Sequence, residues 1–327
     1  LGDPAGIGPE ITAKAWAQTR KSDNIFALIG SLSSAIQACA ALDLPAPQAI
    51  GDIGEAADTF ARALPVLTLD GPSVKLGTPD SKAAGLITQS IKTATALTLG
   101  GVAAAVVTNP IAKSVLYAAG FSHPGHTEYL GELTKDVAMD SPRGPVMMLT
   151  AAGLRVALVT IHEPLSNVSN LITADLIISR ARILYHALKS DFGIANPRIA
   201  VCGLNPHAGE DGSLGGEDIE IINPACARLR AEGINVTDAL PADTMFHAEA
   251  RAGYDAALAM YHDQGLIPVK TLDFHGGVNV TLGLPIVRTS PDHGTAFDIA
   301  GKGVARPDSL MAALKIAREM STHRLSA

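Results

Sequence analysis

Residues 154–164 read LRVALVTIHEP, an apolar run of strand length followed by a histidine and then a turn. The same pattern returns at 197–210, PRIAVCGLNPHAGE, and at 255–265, DAALAMYHDQG. His162, His207 and His262 thus each stand just past a strand-like run. In open α/β sheets, ligands bind beyond the carboxyl ends of the strands. Three imidazoles delivered from three such ends make a candidate metal site with a substrate beside it. A lone histidine after a strand is more often a loop residue or a satisfied core group; the recurrence and the polar neighbours set these three apart.

Outward from those runs, strand-like and helix-like stretches alternate along the chain, which favours a mainly parallel sheet covered by helices on both faces. Ile25–Ile29 reads as a short strand with a helix start at Ser31–Ser34. Lys82–Leu99 has helical apolar spacing and stops at Gly100-Gly101, and Val102–Val107 reads as a buried strand. Val146–Leu149 and Leu154–Val159, around Ala152-Gly153, read as an antiparallel hairpin, so the sheet is expected to be mixed. Helices are expected at Thr173–Leu188, Glu217–Ala231 and Asp308–Met320, with Asp308 as a cap. Ile199–Gly203, Ala256–Met260 and Val278–Val287 are the remaining strand-like segments.

The 327 residues suffice for two lobes. With 47% hydrophobic and 17% charged residues, they should bury a sizeable core. A net charge of −7 without a basic run argues against nucleic acid as partner. No apolar stretch reaches the ~20 residues that span a bilayer, and no signal pattern opens the chain. Cys39, Cys202 and Cys226 fit neither a zinc-knuckle nor a CxxC spacing and read as reduced core thiols of a cytoplasmic protein. The chain starts at Leu1 without methionine, so a few residues of a first strand are expected before it.

Five segments carry candidate chemistry. In GDPAGIGPE (2–10), Gly6 and Gly8 permit a tight turn into a helix whose exposed amides suit an anion or a cofactor ribose; the alternative is a plain strand-to-helix turn. The chain has no GxGxxG, which disfavours a standard dinucleotide fold. HPGHTE (123–128) puts His126 and Thr127 at another helix start, as a phosphate cup or with Thr127 as a simple cap. GLNPHAGEDGSLGGED (203–218) is a long polar loop around His207. Asp243 and Asp263 read as carboxylates that orient the imidazoles, or as exposed turn residues. Lys270, Asn279 and Arg288, at nine-residue intervals, suggest a phosphate or carboxylate clamp. In SPDHGTAFDIAGKG (290–303), His293, Thr295 and Asp298 interrupt a glycine-rich loop, where Asp298 suits an adenosine ribose if the loop pairs with the N-terminal glycine turn.

GDPAGIGPE, TNPIAK (108–113), HPGHTE, GLNPHAGEDG, YHDQGLIPVK (261–270) and GVNVTLGLPIVRTSPDHGTAFDIAG (277–301), in that order, closely resemble the 4-hydroxythreonine-4-phosphate dehydrogenase family of pyridoxal phosphate biosynthesis. HGTAFDIAGKG is also similar to the cofactor loop of isocitrate and isopropylmalate dehydrogenases. The resemblance implies an α/β fold of two α/β/α lobes of that type, a mixed sheet and an active site in the interlobe cleft. Residues 1–125 with 265–327 would form a discontinuous cofactor-binding lobe, and 126–264 a metal, substrate and dimerisation lobe. It further implies His162, His207 and His262 as ligands of a divalent metal, with zinc first and cobalt or magnesium as alternatives. His126, Thr127, Lys270, Asn279 and Arg288 would contact substrate. Gly6, Gly8, His293, Thr295 and Asp298 would hold NAD or NADP, and Asp243, Asp263 or a metal-bound water would take the hydroxyl proton in catalysis. The partners implied are a phosphorylated amino-acid substrate and a second copy of the chain, with the metal site shared between subunits.

The implied reaction is NAD-dependent, metal-assisted oxidation of a secondary hydroxyl followed by decarboxylation. Competing expectations are a related dehydrogenase acting on a four-carbon sugar-acid phosphate or a dihydrodiol dicarboxylate and, more remotely, a metal-dependent lyase or hydrolase or a pure binding protein. A lyase or hydrolase has no need of the 290–303 loop, so NAD binding separates these classes.

Overall fold

The computed structural model describes residues 1–123 and 125–326; Pro124, inside HPGHTE, and Ala327 lie outside the described residues. The chain forms two compact α/β units, Leu1–Asp136 with Pro285–Arg318 and Val137–Leu284 with Glu319–Ala327. The units divide near residues 136 and 285, where 125 and 265 were expected. Helix His126–Leu133 packs with helix Ala84–Leu99, which keeps it in the first unit. Helix His262–Leu272 packs on strands Val146–Ala151 and Leu154–Leu158, which keeps it in the second.

In the first unit, strand Pro65–Thr68 lies between Leu28–Gly30 and Gln48–Ile50, all parallel. Val106–Val107 pairs in parallel with Arg288–Pro291. The Ser31 hydroxyl accepts from the Ser34 amide at 3.1 Å and caps helix Leu32–Ala41. Trp16, on helix Gly8–Thr19, is fully buried among Leu28, Ala35, Val66 and Leu86, and its indole donates to the Phe60 carbonyl at 2.7 Å. That bond matters because a buried indole N–H without a partner would offset much of the gain from burying the ring.

In the second unit the strand order is Val278–Leu282, Val146–Ala151, Leu154–Leu158, Ala256–Ala259, Arg198–Cys202, Asn235–Leu240. The first two pairings are antiparallel and the last three parallel, so the sheet is mixed as expected. The hairpin turns at Ala152 and Gly153, with φ of 47° and 80°. Those left-handed values match the twist of the flanking strands, as primed hairpin turns do. Thr173 caps helix Ala174–Ser190 by accepting from the Leu176 amide at 3.2 Å. Val156, Leu158, Ala200, Cys202 and Ala257 form the core on which helix His262–Leu272 lies, with its Leu266 and Val269 packed into it.

Three expected strands are markedly shorter; of Ile25–Ile29 only Leu28 and Ile29 are extended, in strand Leu28–Gly30. Only Val106–Val107 of Val102–Val107 is extended, because the amides of Val102 and Ala103 both donate to the Leu97 carbonyl and wind the chain off the preceding helix. Val278–Val287 breaks at Gly283, whose φ is 74°. A Cβ there would lie 2.5 Å from the Gly144 amide nitrogen. Among the described residues, no helix is long and apolar enough to cross a membrane.

Candidate active site

The three histidines follow three adjacent parallel strands. His162 comes after Leu154–Leu158, His262 after Ala256–Ala259, and His207 after Arg198–Cys202. Parallel neighbours end at the same sheet edge, so the fold delivers all three from one side. Asp243 follows the next strand along, Asn235–Leu240, in an exposed turn. The rings of His162 and His262 lie 5.5 Å apart, centre to centre, and are tilted by 43°. Two imidazoles bound to one zinc at about 2.0–2.1 Å per nitrogen have ring centres roughly 5 Å apart, so this pair fits two ligands of one ion. His262 Nδ1 is 2.8 Å from Asp263 Oδ1. The contact occupies Nδ1 and leaves Nε2 open, the arrangement by which a carboxylate orients a ligating imidazole. His207 is not drawn into a cluster with them: among the described residues, no three His, Cys, Asp or Glu groups sit together as a metal site.

His207 stands on unusual backbone. Residues 207–211 all have positive φ: 53° at His207, 53° at Ala208, 84° at Gly209, 41° at Glu210 and 54° at Asp211. Left-handed conformation costs a non-glycine residue about 1–2 kcal/mol, and it persists only where surroundings enforce it. Gln264 braces the same region. Its Nε2 donates to the Gly203 carbonyl and its Oε1 accepts from the Met260 amide, both at 2.7 Å, tying together the strand ends that precede His207 and His262.

A second constellation lies in the first unit. Arg288 is 3% exposed, and its Nη2 donates to the Thr108 hydroxyl at 2.6 Å. Burial pushes its guanidinium down to about 10, with Glu128 pulling the other way. His126 opens helix His126–Leu133; its Nε2 is closed off from solvent and has no hydrogen-bond partner. Burial first, and then the Arg288 charge, hold this imidazole well below its ordinary 6.5. Thr127 is half-buried in the same first turn. A buried cation, a neutral imidazole nitrogen and the amides of a helix start together suit a phosphate or carboxylate oxygen. Because His126 is neutral when folded but free to protonate when unfolded, its contribution to stability is lost as pH falls below about 6.5 and is flat above it. NMR titration is expected to find this imidazole still neutral below pH 6.5; a resonance titrating at that value or above contradicts the assignment.

Gly6 and Gly8 have a packing role. A Cβ at Gly6 would lie 2.9 Å from the Thr295 carbonyl oxygen, and one at Gly8 would lie 2.7 Å from that of Leu1. The Ile7 amide donates to the Thr295 carbonyl at 2.9 Å, so the glycine turn and the 290–303 loop are paired. The helix start is buried rather than exposed: residues 1–13 are all buried, and the Ala5 and Gly6 amides both bond to Asp3. Buried Glu10 accepts from the Gly301 and Ala305 amides, each at 2.9 Å, and fixes the far end of that loop. His293 and Asp298 are exposed on it, and Thr295 is half-buried.

Lys270 closes helix His262–Leu272 with its ammonium 5.7 Å from the centre of the Phe274 ring. Asn279 lies on strand Val278–Leu282 with a buried Oδ1 that has no partner. The sequence alone singles out none of Thr108, Asn109, Lys113, Asp218 or Gln264. Asn109 donates to the Thr12 hydroxyl at 2.8 Å while its own Oδ1 is buried without a partner. Lys113 Cε comes within 3.9 Å of where a Gly125 Cβ would stand. The available signal was TNPIAK itself, polar residues just past an apolar run as at the histidines.

A family model described as pyridoxal phosphate biosynthetic protein PdxA matches residues 23–317. A relative from Maricaulis maris (strain MCS10), named 4-hydroxythreonine-4-phosphate dehydrogenase, is 57% identical over 99% of this chain and 97% of its own. The crystal structure of 4-hydroxythreonine-4-phosphate dehydrogenase from Klebsiella pneumoniae matches with a TM-score of 0.87 at 37% identity, over 98% of this chain and 96% of that one. A terephthalate 1,2-cis-dihydrodiol dehydrogenase from Burkholderia xenovorans LB400 matches with a TM-score of 0.62 at 27% identity, over 97% and 95%. The extent of these matches, with the histidine and anion segments inside them, shows that the chain belongs to the PdxA family of pyridoxal phosphate biosynthetic proteins.

Proposed function

We propose that this chain is an NAD-dependent, metal-assisted 4-hydroxythreonine-4-phosphate dehydrogenase. It oxidises 4-phosphohydroxy-L-threonine to 2-amino-3-oxo-4-phosphooxybutanoate, a β-keto acid that loses carbon dioxide to give 3-amino-2-oxopropyl phosphate. The observation that carries this is the buried Arg288 beside neutral His126, a pairing suited to a phosphorylated substrate. Thr127, Lys270 and Asn279 complete the proposed substrate contacts. Gly6, Gly8, His293, Thr295 and Asp298 form the proposed cofactor segment; NAD or NADP, when bound, supplies the hydride acceptor. His162, His207 and His262 would hold a divalent ion, zinc before cobalt or magnesium, which when bound supplies a Lewis acid for the hydroxyl and the new carbonyl. Asp263 is held against His262, and Asp243, Asp263 or a metal-bound water is the proposed acceptor of the hydroxyl proton.

Kinship with the dihydrodiol dehydrogenase structure favours one alternative, a dihydrodiol dicarboxylate substrate. A panel of 4-phosphohydroxy-L-threonine, a four-carbon sugar-acid phosphate and a dihydrodiol dicarboxylate, followed by NADH formation, decides. The phosphorylated amino acid is expected to give the highest kcat/KM, and preference for either competitor overturns the assignment.

We also propose a homodimer that shares its metal sites. His162 and His262 lie side by side in one chain, so the informative pair to mix is His207→Ala with His262→Ala. Re-associated mixed dimers should regain part of the activity that each variant lacks; no recovery rules out ligands from both chains.

A further inference from the structure

We propose that Asp218 is the positioning residue for His207, an inference that rests on reading His207 as a metal ligand. Asp218 is completely buried, eleven residues beyond the histidine, at the start of the π-helical segment Asp218–Ile222 that runs on into helix Asn223–Ala231. Its Oδ1 accepts from the Leu204 amide at 2.8 Å. Its Oδ2 accepts from the Asn205 amide at 3.2 Å and from the Asn205 side chain at 2.9 Å. The carboxylate therefore fixes the two residues that lead from the strand end into Pro206-His207.

It also lies beneath the left-handed turn itself. A Cβ on Gly203 would stand 2.8 Å from Asp218 Oδ1, and one on Gly209 would stand 3.3 Å from Oδ2. The two glycines let the backbone on both sides of His207 close onto one carboxylate. A left-handed run through His207, Ala208, Glu210 and Asp211 is not explained by local preference, least of all at Ala208 and Glu210. It needs an enforcing contact, and Asp218 is placed to supply it. Without that contact the turn relaxes and the His207 imidazole loses its fixed position.

The test is a Zn²⁺ affinity measurement by chelator competition on the full chain, for wild type, Asp218→Asn, His207→Ala and the double variant. An amide in place of the carboxylate cannot accept all three bonds. Affinity is expected to fall about 10–100-fold, as for residues that orient metal ligands. In the His207→Ala background Asp218→Asn should cause no further loss, because it acts through that imidazole. Should Asp218→Asn not fold, Asn205→Ala leaves the carboxylate in place and should weaken Zn²⁺ binding in the same direction. Unchanged affinity in the variants that fold, or losses that add in the double variant, overturns the proposal. A wild-type chain that binds no Zn²⁺ removes the metal reading itself and the proposal with it, and the wild-type arm identifies that outcome separately.

Discussion

His262→Ala is expected to lower kcat by about three orders of magnitude while leaving the melting temperature nearly unchanged. A Lewis acid on the reacting oxygen contributes several kcal/mol, and about 1.4 kcal/mol is a factor of ten. The fold should survive because His262 only opens its helix. Leu266 and Val269 carry that helix into the core, and Gly265 sets the approach: a Cβ there would lie 2.8 Å from Leu158 Cδ2 and 2.9 Å from Val156 Cγ1. None of these contacts involves the imidazole. The variant should also retain less zinc than wild type after dialysis. Normal turnover in a zinc-depleted His262→Ala protein would remove the histidines from the chemistry.

Arg288→Ala is expected to raise KM for the phosphorylated substrate about 30-fold or more, since truncating one partner of a buried charge pair costs about 2–5 kcal/mol. Arg288 sits on strand Arg288–Pro291, paired with Val106–Val107, so its guanidinium is held by the sheet and by Thr108. Loss of the buried side chain also lowers stability. The decisive readout is therefore the ratio of kcat/KM between the phosphorylated substrate and its unphosphorylated analogue. That ratio should collapse in Arg288→Ala and recover only in part in Arg288→Lys, which keeps the charge but not the planar fork. With its second depressing influence gone, the His126 imidazole should titrate closer to 6.5 than in wild type. An unchanged ratio places the phosphate elsewhere.

Most of the strand framework was legible because a buried strand leaves a local apolar signature. The three histidines announce three strand ends, the hairpin announces itself at Ala152-Gly153, and Ser31 and Thr173 cap the helices they precede. Val102 misled because its chemistry is strand-like while its amide is claimed by the preceding helix. The left-handed turn at 207–211 could not be read locally, since His, Ala, Glu and Asp all prefer other backbone conformations. Its cause, Asp218, is a buried carboxylate in a stretch whose composition looks exposed. The anion pocket was half legible: His126 and Arg288 stood out, but Thr108 reaches Arg288 only through a parallel strand pairing 180 residues away in sequence. Such long-range placements leave no spacing to count.

The most direct test follows NADH formation from 4-phosphohydroxy-L-threonine and NAD with protein as purified, after chelation, and after Zn²⁺ is restored. The expected result is turnover with release of carbon dioxide, its loss on chelation and its return with the metal. Absence of turnover in the metal-replete protein, or full turnover in the chelated one, would contradict a metal-assisted 4-hydroxythreonine-4-phosphate dehydrogenase.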